Sequence, residues 1–159
     1  MTNNSRTTVT AEPGKRKVVI SQVFDAPREL VWKALTDPEL MPQWGGPKEY
    51  TIAIDKMDVR PGGQWRYVQR GPDGSASAFH GVYKTVTPPE RLVDTWEWEG
   101  MPGQAALETI TLEEQNGATK VTTTEEFQTA EDRDRALQEM SEGAIESGDR
   151  LAELLKKMK

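Results

Sequence analysis

The 159-residue chain contains no cysteine, and His80 is its single histidine. Disulfide bonds and thiolate chemistry are therefore excluded, and a zinc site built from cysteine and histidine is not expected. Apolar runs are short as well, because no stretch approaches the roughly 20 residues that cross a bilayer as a helix. We expect no metal site, no membrane insertion and a cytoplasmic location.

Basic residues are fewer than acidic ones, 20 against 26, which gives a net charge of -6 at pH 7. A protein that binds nucleic-acid phosphates needs the opposite balance, so no nucleic-acid partner is expected. Residues 1–14 are polar, without periodicity and without the apolar segment of a secretory signal, and they predict a disordered tail. Residues 15–159 are then expected to form a single domain, which is long enough for its own core.

The order of predicted elements indicates an α+β fold. A strand ending at Phe24 leads into a short helix that contains Trp32, and a second short helix ends near Trp44. Six strands follow, and Asn116-Gly117 predicts a tight hairpin between the last two because both residues tolerate a positive φ. Strands joined this tightly pair antiparallel. The six predicted strands span residues 50–59, 64–70, 76–86, 91–99, 107–114 and 119–127.

A long helix is predicted after the last strand. Thr129 stands three residues before Asp132, which is the spacing of a capping box, and no proline follows. Such a helix is long enough to cross a whole sheet. The expected architecture is therefore the helix-grip fold, in which a curved antiparallel sheet wraps around a long C-terminal helix. The predicted inner face of that helix carries Leu137, Met140, Ala144, Gly148, Leu151 and Leu155.

Several short motifs, each occurring once, follow one another along the chain in a characteristic order. They are Phe24-Asp25-Ala26-Pro27, Trp44-Gly45-Gly46-Pro47, Pro61-Gly62-Gly63-Gln64-Trp65, Gly81-Val82-Tyr83 and Trp96-Glu97-Trp98. With these motifs the chain resembles the START-like superfamily, also called SRPBCC or Bet v 1-like. Within it, the chain is most similar to the branch related to the C-terminal domain of the activator of heat-shock-protein-90 ATPase. The resemblance covers residues 17–157 and implies a cavity between sheet and helix, but it implies no single activity.

Strand alternation predicts which side chains line that cavity. Trp96 and Trp98 mark one face of their strand as inward, and the same parity argument applies to the other strands. Aromatic walls with a few hydroxyl and carboxyl groups are typical of a small-molecule pocket. The candidate ligand-binding residues are Trp65, Tyr67, Phe79, Gly81, Tyr83, Asp94, Trp96, Trp98, Ile110, Leu112, Thr123 and Glu125 on the strands, and Met140, Ala144 and Gly148 on the helix.

Some of these candidates depart from the pattern of the resembling family. Ala144 and Gly148 stand where Trp and Leu are usual, and they share a helix face because they are four residues apart. Their small size predicts either an enlarged cavity or a close contact between helix and sheet. Gly81 is expected to leave a further gap. Asp94 and Glu125 bring carboxyl groups inward without an inward Lys or Arg, which is costly without hydrogen bonds. We expect burial to raise the pKa of Asp94, unless a bulge turns it to solvent.

The sequence offers few candidate catalytic residues. His80 is predicted to face outward, and Ser75 and Ser77 have no base nearby. The expected function is the binding of a small apolar or aromatic molecule, such as a lipid or polyketide, without a cofactor and without a reaction. Two alternatives stay open. One is the co-chaperone-like protein interaction that the resemblance implies, and the other is an enzyme of the polyketide-cyclase or hydrolase kind that uses Asp94 or Glu125 as acid or base.

Overall fold

A computed structural model describes residues 7–159 of the chain. Within these residues eight strands form one antiparallel sheet in the order β1-β2-β8-β7-β6-β5-β4-β3. The helices are α1 (Arg28–Thr36), a single 3₁₀ turn (Met41–Gln43) and α2 (Ala130–Met158). The strands are β1 (Thr8–Thr10), β2 (Lys17–Phe24), β3 (Thr51–Met57), β4 (Gln64–Arg70), β5 (Ala76–Thr87), β6 (Arg91–Trp98), β7 (Ala106–Gln115) and β8 (Ala118–Glu126).

The predicted turn and cap form as the sequence indicates. Asn116 and Gly117 both have positive φ, 56° and 82°, and they join β7 to β8 in a tight hairpin. The Thr129 hydroxyl accepts a hydrogen bond from the Asp132 N–H at 3.0 Å, which starts α2 where the capping spacing places it. The second predicted short helix is only the 3₁₀ turn. In the described part of the chain no helix, α2 included, is long and apolar enough to cross a membrane.

Helix α2 is held against the sheet at both of its ends. Near its C-terminus, Leu151 and Leu155 join an apolar cluster with α1 and the adjoining strands. Near its N-terminus, Leu137 and Met140 pack on a second cluster around Phe127. The helix-grip fold is thus confirmed, and the two clusters leave the middle of α2 to span the sheet between them.

The predicted disordered tail is wrong for residues 8–10. They form β1, which pairs antiparallel with β2 from Thr8 opposite Ser21 to Thr10 opposite Val19. The following segment is fixed by Arg133 of α2, which is 2% exposed and donates hydrogen bonds to the carbonyl oxygens of Glu12 and Lys17 at 2.8 and 3.1 Å. A three-residue strand is too short to show alternation in the sequence. Residues 1–6 of the predicted tail lie outside the described residues.

Candidate functional site

A cavity of about 590 Å³ lies between the inner face of the sheet and the middle of α2. Its walls come from β2 to β8, from the helix and from the Trp44-Gly45-Gly46-Pro47 segment after the 3₁₀ turn. Of the residues predicted to line it, all but Gly81 and Leu112 do so. The lining residues among the candidates are Trp65, Tyr67, Phe79, Tyr83, Asp94, Trp96, Trp98, Ile110, Thr123, Glu125, Met140, Ala144 and Gly148.

One wall of the cavity is a continuous row of four aromatic rings. Trp65 stacks on Tyr67 with ring centroids 5.5 Å apart, and Tyr67 contacts Phe79 at 5.3 Å. Phe79 in turn contacts Trp96 at 5.2 Å, so the row crosses from β4 through β5 to β6. Side chains that alternate to one face of neighbouring strands meet in this way. The row, called the aromatic wall below, offers a broad apolar surface to the cavity.

Gly81 and Leu112 face inward but serve packing. A Cβ at Gly81 would lie 1.8 Å from the backbone oxygen of Thr95, so the glycine permits a close approach of β5 to β6 and leaves no gap. The expected gap is therefore wrong. Leu112 is fully covered by the apolar cluster around α1, which includes Val31. Parity placed it on the correct face, but that end of the sheet is filled.

The two small residues of α2 have different surroundings. A Cβ at Gly148 would come within 2.1 Å of the Gln22 Oε1 atom and 2.2 Å of the Thr7 hydroxyl, so the Gln22 side chain takes the space of a Gly148 side chain. Gln22 also donates a hydrogen bond to the Gly148 carbonyl oxygen at 3.4 Å. The close-contact alternative therefore holds at Gly148. Ala144 borders the cavity with Met140 one turn before it, as expected for an enlarged space.

Three carboxyl groups lie side by side on the inner face of the sheet. Asp94 of β6 is opposite Glu108 of β7, and Glu108 is opposite Glu125 of β8. Asp94 and Glu125 are only 5% and 6% exposed, and one oxygen of each, Oδ1 and Oε1, has no hydrogen-bond partner. The alternative that a bulge turns Asp94 to solvent is wrong, because Asp94 is buried and lines the cavity although the register between β5 and β6 shifts nearby. These three side chains are called the carboxyl row below.

Burial favours the protonated form of two members of this row, Asp94 and Glu125. It raises the pKa of Asp94 and of Glu125 well above the ordinary carboxyl range, and the charge of Glu108 and hydrogen bonding to it act in the same direction. Burial also raises the pKa of the Tyr67 and Tyr83 hydroxyls. Burial therefore favours the neutral forms of Asp94, Glu125, Tyr67 and Tyr83. The raised pKa of Asp94 is the one expected from its sequence position.

Two further residues of the site were missed from the sequence. Glu108 has the same parity as Ile110 and Leu112 on β7, so a consistent use of alternation would have placed it inward. Arg150 of α2 donates to the carbonyl oxygens of Gly45 at 2.9 Å, Gly46 at 3.2 Å and Pro47 at 3.1 Å. It thereby fixes the segment that borders the cavity. Nothing in the sequence distinguishes Arg150 from other charged residues of the helix.

The single histidine lies on the opposite, outer face of the sheet. His80 Nδ1 is 3.0 Å from Glu99 Oε2, and Arg66 donates two hydrogen bonds to the same carboxylate at 2.8 and 3.1 Å. The hydrogen bonds from Arg66 and then His80 hold the pKa of Glu99 at about 2. This exposed ion cluster has no contact with the cavity. Within residues 7–159 no three His, Asp or Glu side chains are grouped so that they could hold a metal ion.

Comparison with known proteins identifies relatives of the same fold. Residues 25–156 match the family model described as Activator of Hsp90 ATPase homolog 1-like protein. Protein Ms6760 from Mycobacterium smegmatis is 25% identical over 94% of this chain and 96% of its own, with a TM-score of 0.85. Protein NE0264 from Nitrosomonas europaea is 27% identical over 94% and 100% of the two chains, with a TM-score of 0.82. No curated protein matches the sequence.

Proposed function

The chain belongs to the Activator of Hsp90 ATPase homolog 1-like family, and from this premise we propose that it binds one small, flat, mostly apolar molecule in the cavity beneath α2. The observation that carries the proposal is the aromatic wall. Four rings, joined by three successive ring contacts across three strands, present their apolar surface to a space of about 590 Å³. Ligand sites in proteins commonly measure about 300–1,000 Å³ and combine apolar walls with a few polar groups.

The anchoring of α2 supports an open cavity rather than a filled core. The apolar clusters at the two ends of the helix fix its distance from the sheet. Between them Gly143 and Ala144 supply little side-chain volume, so the helix cannot fill the space over the aromatic wall. A molecule of suitable shape would bury apolar surface there, at about 25 cal/mol per Å².

Two other functions remain as alternatives. Family membership itself supports an interaction of the co-chaperone type. The cavity favours ligand binding over that alternative, because a protein-docking surface does not require an interior space lined by aromatic rings. A cyclase- or hydrolase-like enzyme is supported by the carboxyl row, since buried carboxyl groups with raised pKa values occur at catalytic sites. The expected cytoplasmic location also stays a prediction.

Tryptophan fluorescence offers the direct test of ligand binding. Trp65, Trp96 and Trp98 line the cavity, so an aromatic ligand bound there is expected to change their emission with saturation at one molecule per chain. The test titrates a panel of flat aromatic compounds and lipids, with free tryptophan amide as the control for optical artefacts. A binder present at 100 times its Kd should stabilise the fold by about 2.7 kcal/mol and raise its melting temperature. If the whole panel gives neither saturable emission changes nor thermal shifts, the proposal is wrong.

A further inference from the structure

We propose that the ligand of this cavity carries a protonated amine, which is held by the carboxyl row of Asp94, Glu108 and Glu125. The proposal rests on the proposed function, since it names the chemical class of that same ligand. The aromatic part of the ligand would lie on the aromatic wall, and its ammonium group would reach the carboxyl row.

Geometry supplies the first argument. The three carboxyl groups come from three neighbouring strands at one level of the sheet, and all three line the cavity. Asp94 Oδ1 and Glu125 Oε1 are buried and have no hydrogen-bond partner. Each buried acceptor left in this state costs about 1–3 kcal/mol. The N–H donors of a ligand amine can satisfy such oxygens, whereas an apolar ligand cannot.

Charge supplies the second argument. In the described residues no lysine or arginine forms an ion pair with any member of the carboxyl row. The arginine that borders the cavity, Arg135, pairs with Glu131 and Asp132 of its own helix. Lys56 of β3 also borders the cavity, and it too forms no ion pair with the row in the described residues. The row is therefore open to a cationic group of the ligand, which would favour its ionised form.

The spread of the carboxyl row favours an ammonium group over a bare metal ion. Neighbouring strands lie about 4.8 Å apart, so the three groups form a line and do not converge on one point. Accordingly, residues 7–159 contain no metal-holding group of three such side chains. The aromatic wall adjoins the row, because Asp94 and Trp96 are alternate residues on the inner face of β6. An ammonium group beside these rings also gains a cation–π attraction.

Protons are exchanged when such a ligand binds. Without ligand, burial keeps Asp94 and Glu125 protonated, whereas a nearby ammonium group favours their ionised forms. Binding should therefore release protons, and affinity should rise with pH while the amine itself stays charged. The titratable or charged groups that face the cavity are Lys56 from β3, Tyr67 from β4, Tyr83 from β5, the carboxyl row from β6 to β8, and Asp132, Arg135 and Glu139 from α2.

Calorimetry with two matched probes tests the proposal. Naphthylmethylamine and naphthylmethanol share one ring system and differ only in the charged or neutral head group. Near pH 7.5 the amine should bind at least about tenfold more tightly, which corresponds to about 1.4 kcal/mol. Titrations in two buffers of different ionisation heat should show release of about one proton with the amine and none with the alcohol. These readings need only the unaltered protein.

Variants locate the effect within the cavity. Asp94→Asn and Glu125→Gln should each reduce the preference for the amine by about tenfold or more, whereas Glu113→Gln, an exposed residue of β7, should leave it unchanged. If a variant fails to fold, the proton release of the unaltered protein on binding the amine is the result that tests the inference. Equal binding of amine and alcohol without proton release would overturn the inference and leave the proposed function standing. Failure of both probes, and of the wider panel, would overturn both.

Discussion

Raising the pH from about 5 to about 8 should destabilise the ligand-free protein by up to about 4 kcal/mol for each carboxyl group that stays protonated in the fold, because folding favours the protonated forms of Asp94 and Glu125. Their pKa values are higher in the folded than in the unfolded chain, so the folded state binds protons more tightly. The stability that this provides is complete below the unfolded pKa of about 4 and is lost as the pH rises towards the folded value. Each group can contribute up to about 1.4 kcal/mol per pH unit in that window.

Urea unfolding at several pH values measures this effect. Carboxylates with lowered pKa values, such as Glu99 and Asp73, make the fold more stable as the pH rises. Their effect on stability is complete below about pH 5, so it does not contribute between pH 5 and pH 8. A His80→Gln background removes the only imidazole. In that background Asp94→Asn should flatten the pH dependence and be neutral or stabilising near pH 8. A clear loss of stability on this substitution near pH 8, without a loss at low pH, would show that the carboxyl group is ionised and paired.

Replacing Ala144 by tryptophan should close the cavity. Ala144 borders the open space at the middle of α2, so an indole ring at this position would lie over the aromatic wall. Ligand affinity should fall tenfold or more, which is at least about 1.4 kcal/mol. The free energy of unfolding should change little, because the new ring enters empty space. The measurements are ligand titration and thermal unfolding of the same variant.

Ile145→Trp is the matched control for this substitution. Ile145 is the next residue of α2 and is 43% exposed, so the same ring placed there should leave ligand affinity unchanged. If the region beneath Ala144 were closely packed, Ala144→Trp would overpack it and lower stability by about 1–3 kcal/mol. Such a loss, or normal binding by the Ala144→Trp variant, would contradict the open cavity.

The fold could be predicted because its signals are local and repeated. Alternation fixed the inner face of each long strand, and Asn116-Gly117 and Thr129 marked a turn and a helix start that the structure contains. The strand β1 was missed because three residues are too few for alternation. Its neighbour Arg133 bonds to carbonyl oxygens more than a hundred positions away, and no local pattern encodes such a contact.

The sequence allowed us to predict which side of the sheet a residue faces, but not whether an inward residue borders the cavity or is packed in the core. Alternation selects the side of the sheet, and it correctly placed Asp94 and Trp96 on the cavity side. It cannot show which inner residues are covered by α1, as Leu112 is. Nor can it show where a side chain of the sheet occupies the space beside a helix residue, as Gln22 does at Gly148. Glu108 was a failure of another kind. Its parity with Ile110 was readable, but Glu108 was not included among the inward residues.

Native mass spectrometry of the protein purified from its own cells tests most directly whether the cavity holds a small organic molecule. The expected result is a population heavier than the bare chain by the mass of one small molecule, which is released on unfolding. Fragmentation should identify an aromatic compound with a basic nitrogen, and the Ala144→Trp protein should carry none. A bare chain in every preparation, or a stable complex with a chaperone and no small molecule, would contradict ligand binding as the function of this cavity.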